Sequence, residues 1–139
     1  FWPKRYAIWG RLVAHQPGQI GYSIIDSKAI GHFMPPVFPG AQANTLPELA
    51  RQLGLDSERF TQTIADYNAA CAPGQFDHTR LDNCATVGLT PPKTHWARPI
   101  DTMPYVRGSP SPTSGSTSTK PPPSTSPANP AVICLSPGK

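Results

Sequence analysis

Four histidines and three cysteines are the side chains here most able to bind a metal or act as a nucleophile. Cys71, His78 and Cys84 are separated by seven and six positions, and His95 follows further along. Structural zinc sites usually pair their ligands two to four residues apart on a tight knuckle. That spacing is missing, so these residues read as ordinary buried or surface side chains, and no metal is expected. No G-x-S-x-G elbow occurs, which leaves a serine hydrolase without its nucleophile turn. The remaining candidate is the basic, aromatic start, Phe1-Trp2-Pro3-Lys4-Arg5-Tyr6. Its arginine could pair with a carboxylate through two parallel N–H donors, or its aromatics could stack on a base. The plainer reading puts Lys4 and Arg5 on the wet side of an amphipathic helix.

Positioning such groups requires folded elements, and the clearest are two consecutive helices. Thr45-Leu46-Pro47-Glu48 fits a capping box, in which Thr45 accepts from an early amide and Glu48 reaches back. Leu46, Leu49 and Leu53 follow at helical spacing, and Gly54 supplies the stop. Asp56 or Ser57 then caps a second helix running to about Ala70, with Phe60, Ile64 and Tyr67 on one apolar face. Residues 4–14 read as a helix as well. Residues 18–26 read as a short strand with Ile20, Tyr22 and Ile24 on one side. Residues 32–40 form a packed loop, and 77–101 is mostly irregular. The fold class is α+β, without the βαβ alternation or glycine fingerprint of a dinucleotide-binding fold.

Composition divides the chain after Thr102. The net charge is +4, but residues 1–102 contain nine bases and all eight acids. That near-neutral balance lacks the dense basic patch of a nucleic-acid binder. Of the 37 residues from 103 to 139, 21 are Pro, Ser or Thr, and Tyr105 is the only aromatic. Such a stretch cannot bury enough apolar area to offset its ordering entropy. The expected organisation is one folded unit over 1–102 and a disordered tail over 103–139, with polyproline II character at Pro121-Pro122-Pro123. No apolar run reaches a membrane-spanning length. An odd cysteine number and the absence of a leader at Phe1 point to a cytoplasmic chain, and the missing initiator to a fragment.

Particular strings carry a family resemblance. Phe1-Trp2-Pro3-Lys4-Arg5-Tyr6-Ala7-Ile8-Trp9-Gly10 resembles the start of the capping domain in the tricarballylate-oxidising branch of the succinate dehydrogenase/fumarate reductase flavoprotein family. Tyr22-Ser23-Ile24-Ile25-Asp26-Ser27-Lys28 resembles the cap strand that runs into a helix. The two helices, with Asp66-Tyr67-Asn68 inside the second, resemble the family's helix-pair signature. Arg98-Pro99-Ile100-Asp101-Thr102 resembles the segment returning toward the flavin domain. The match covers residues 1–102. It implies a small capping domain that closes over FAD and a polycarboxylate, within an enzyme that oxidises tricarballylate to cis-aconitate. It also implies a cap arginine as proton carrier beside the substrate. Arg5 is the nearest counterpart, although its surrounding spacing differs from the fumarate reductase pattern. The glycine-rich FAD motif is absent from these residues, so the chain alone is expected to be inactive and free of FAD.

After Thr102 the protein sequence departs from the family, and codon degeneracy supplies a reason. Shifting residues 104–139 one base earlier, with free synonymous choice, permits a reading containing RPGITFTYLGL and, at its end, NLFVAGE. Both resemble family segments, the second a flavin-binding one, that are otherwise missing. The tail is thus read as out of frame. The alternative from a different class is a non-enzymatic interaction module whose Pro/Ser/Thr-rich tail serves as a linker or SH3-type ligand.

Overall fold

The computed structural model describes residues 6–32, 40–107 and 132–133. In chain order they form helix α1 (Tyr6–Ala14), a 3-10 turn (Pro17–Gln19), strand β1 (Tyr22–Ile25), strand β2 (Gln42–Ala43), helices α2 (Leu46–Gln52) and α3 (Ser57–Ala70), and strands β3 (Tyr105–Arg107) and β4 (Val132–Ile133). The strands make one sheet in the order β2-β3-β1-β4, antiparallel at every pairing. The fold is therefore α+β, a small antiparallel sheet with helices packed against it.

The helix pair forms for the reasons legible in its residues. Thr45 Oγ1 accepts from Glu48 N–H at 3.3 Å, and Asp56 Oδ1 accepts from Arg59 N–H at 2.7 Å. Each bond satisfies one amide that a helix start leaves without an intrahelical partner. Between the helices, Gly54 takes φ +68°, a left-handed conformation that lets α2 stop and the chain turn into α3. Phe60, Ile64 and Tyr67 are all buried along one face of α3. They join Leu49 and Ala50 of α2, Ile24 of β1, Ala43 of β2 and Ile100 in a single core.

Three expectations change. The strand is shorter than residues 18–26 because the Pro17–Gln19 turn, with Gly18 at φ +64°, occupies its start. Ile20 is consequently exposed, whereas Ile24 and Ile25 are both buried. Alternation fails because both sides of the sheet are covered at this point. Second, β2 went unread, since two residues are too few to show a period. Third, the folded unit does not end at Thr102. Strand β3 lies between β1 and β2, with Ile24 opposite Arg107 and Ala43 opposite Tyr105. Composition missed it because strand pairing satisfies backbone groups whatever the average polarity of the segment. Most of the tail, including Pro121-Pro122-Pro123, falls outside the described residues, as does most of the 32–40 loop.

Candidate functional site

The chain from His95 to Thr102 has no regular structure, yet buried or half-buried polar groups fix it at three places. At its start, Asp82 Oδ1 accepts from Trp96 N–H at 2.8 Å and from Cys84 N–H at 3.0 Å. Its Oδ2 accepts from Asp77 N–H at 3.2 Å. Burial pushes the Asp82 carboxyl upward, but donation from the Trp96, Asp77 and Cys84 amides outweighs it, and the group sits below the ordinary carboxylate range. Trp96 adopts φ +56°, a region that a bulky residue rarely enters. Its indole N–H holds it there by donating to the carbonyls of Asp77 at 2.9 Å and Arg80 at 2.8 Å.

The second anchor is Asn68 on α3. Its amide N–H donates to Ile100 O at 3.0 Å, and its Oδ1 accepts from Ile100 N–H at 2.7 Å. One side chain thus completes both backbone groups of a buried residue. The third is Asp26, 5 % exposed at the end of β1. Its Oδ2 accepts from the amides of Asp101 at 3.2 Å and Thr102 at 3.3 Å. Lys28 pairs with Asp26 at 3.2 Å, pairs with Asp101, and donates to Pro99 O at 2.9 Å. The Lys28 ammonium, then the Thr102 hydroxyl, holds the Asp101 carboxyl below its usual range.

Between these anchors lies Arg98, half-buried, with its guanidinium carbon 4.6 Å from the Phe76 ring centre. Stacking on an aromatic face orients the guanidinium plane and leaves its N–H fork available to an anion. Among the described residues it has no carboxylate partner within ion-pair distance. Arg98 was legible only as part of the Arg-Pro-Ile-Asp-Thr string; nothing in its spacing announced Phe76 as its support. Arg5 lies outside the described residues.

The thiols and imidazoles of the metal reading take separate roles. Cys84 is buried, and burial raises its thiol; Cys71 is half-buried and also raised by burial. His95 Nδ1 accepts from Asn83 N–H at 3.0 Å. His78 stands beside His32 instead, with ring centres 5.0 Å apart. Among the described residues no group of three or more His, Cys, Asp or Glu could hold an ion. Burial also lowers the Lys93 ammonium to about 8, and burial raises the Tyr67 hydroxyl well above its usual range. No helix among the described residues is long and apolar enough to cross a membrane.

Comparison with known proteins adds one relative. The chain is similar to the 4-oxocyclohex-2-ene-1-carboxylate 5-dehydrogenase of Sinomonas cyclohexanicum, with 32 % identity over 83 residues. The alignment takes in 48 % of this chain and 14 % of that protein. The chain therefore spans about one seventh of the length of the relative it matches. The similarity is to an oxidoreductase, a dehydrogenase, over part of the chain. No family model matches, and no solved structure does.

Proposed function

We propose that this chain is the capping-domain part of a cytoplasmic, FAD-dependent dehydrogenase of the succinate dehydrogenase/fumarate reductase flavoprotein family, with a polycarboxylate as substrate. Tricarballylate, oxidised to cis-aconitate, is the substrate that the Trp-Pro-Lys-Arg-Tyr and Arg-Pro-Ile-Asp-Thr strings favour. The observation that carries the reading is the similarity to a dehydrogenase named for a carboxylate substrate. The pinned 95–102 segment supports it: three polar anchors hold one aromatic-backed arginine in place. In this reading Arg98 receives a substrate carboxylate, and Arg5 is the proton carrier.

The described residues do not themselves fit an FAD. Their sheet is antiparallel throughout, whereas a dinucleotide pyrophosphate rests on a glycine-rich turn between a parallel strand and a helix. The one strand-to-helix turn, from β2 into α2, has no glycine, and Thr45 caps the helix start with its own hydroxyl. The flavin would be held by sequence beyond these 139 residues and would serve as hydride acceptor. This chain's residues would exclude water and orient carboxylates. Residues 103–139 are taken as an out-of-frame translation of the segment that resembles RPGITFTYLGL and NLFVAGE.

Two preparations test the proposal together. The 139-residue chain, mixed with excess FAD and desalted, is expected to elute colourless and to reduce no dye with tricarballylate. The gene with the frame restored and its upstream sequence included is expected to retain flavin and to oxidise tricarballylate. In that enzyme Arg98→Met should raise KM about tenfold or more, as loss of a charged carboxylate contact costs roughly 1.5–3 kcal/mol. Flavin retained by the 139-residue chain, or a frame-restored product without flavin, contradicts the proposal.

A further inference from the structure

We infer that His32 and His78 form a two-imidazole site for a divalent transition-metal ion, zinc or nickel by chemistry, independent of the dehydrogenase reading. The two residues lie on separate segments, one in the turn following β1 and the other in the loop following α3. Both are exposed, so an ion can reach them. Their ring centres are 5.0 Å apart, and the planes are tilted by 47° rather than stacked flat.

That separation suits chelation. With a Zn–N distance of about 2.0–2.1 Å and a ring nitrogen about 1.2 Å from its ring centre, two imidazoles on one ion have centres about 4.5–5.2 Å apart for N–metal–N angles of roughly 90–109°. Neither imidazole is engaged in a hydrogen bond or ion pair among the described residues. His95 contrasts with them, because its Nδ1 is already occupied by the Asn83 amide. Asp77 precedes His78 in the chain. Its oxygens are taken by Thr79 N–H and hydroxyl and by Arg80 Nε at 2.8 Å. Asp77 is therefore no ligand and its charge is offset by Arg80, so the two imidazoles hold the ion and water completes the coordination. Bound metal would tie the β1 turn to the 77–82 loop, a long-range closure that restrains both.

The test uses the whole chain with zinc chloride and, separately, nickel chloride. Thermal unfolding with about 0.1 mM zinc should rise by about 5 °C and saturate, as binding to the folded state alone requires. Nickel should broaden the imidazole proton resonances of two of the four histidines, His32 and His78, and spare His15 and His95. Both effects should vanish in His32→Gln and in His78→Gln, each an exposed position whose replacement leaves the core intact. An absent thermal shift in the unsubstituted chain overturns the inference. An undiminished shift in both variants does so too, because it would place the ion on other groups such as the thiols.

Discussion

At the residue scale, the irregular half of the protein depends on a few polar side chains that complete backbone groups. Asn68 is the clearest, since it bonds both the N–H and the carbonyl of Ile100, a residue only 4 % exposed. Asn68→Ala leaves a buried donor and a buried acceptor unsatisfied. The expected loss is about 2–4 kcal/mol, read from urea midpoints at constant slope. Asn68→Asp should not recover that loss, because its carboxylate still accepts from Ile100 N–H but sets a second acceptor oxygen against the Ile100 carbonyl. Asp82 adds a pH signature. Its folded-state affinity for protons is depressed, so its stabilisation is complete above the unfolded carboxyl value near 4 and is lost as pH falls through the lower folded value. Asp82→Asn should lower stability at neutral pH and flatten the decline below about pH 4. Some decline should remain, since Asp77 and Asp101 are also held low by their donors. A variant with the original acid slope would show that Asp82 does not carry it.

At the element scale, α2 and α3 stand where their residues place them. Thr45→Ala removes the hydroxyl that accepts from Glu48 N–H and should cost about 1 kcal/mol, with Thr45→Ser restoring most of it. Gly40 makes a stronger demand. A Cβ there would lie 1.7 Å from the Arg107 carbonyl oxygen, so Gly40→Ala must push β3 away from the Gly40-Ala41 backbone. That variant should lose the Arg107 N–H to Ala41 O bond of 2.8 Å, visible as faster amide exchange at Arg107 than at Ile24. The helices were legible because capping and a 3.6-residue period are local signals. The sheet was not. Its strands are two to four residues long, and their partners are remote in sequence, so no window holds both halves of a pairing. The candidate site was half legible for a related reason. Arg98 and Asn68 could be quoted within family-like strings, but the Arg98–Phe76 stack and the Asn68–Ile100 bonds join segments 22 and 32 residues apart. Arg5, the counterpart that the resemblance implies for the cap arginine, lies outside the described residues.

At the scale of the whole molecule, the chain combines a small α+β unit, a pinned arginine segment and a tail whose residues depart from the resemblance. The pairing of Tyr105–Arg107 within the sheet does not decide the tail's reading frame, because it uses backbone groups that most residues supply. The nucleotide sequence does decide it. We propose that these residues are the cap of a flavin-dependent carboxylate dehydrogenase, interrupted near residue 103. The most direct test is to determine the coding DNA from well upstream of Phe1 to beyond Lys139. The expected result is an in-frame G-x-G-x-x-G between a strand and a helix upstream. The adjacent frame after Thr102 should encode a stretch close to RPGITFTYLGL and ending NLFVAGE. An upstream region lacking that glycine motif, together with an adjacent frame that encodes neither segment, would contradict the claim and leave the interaction-module reading in its place.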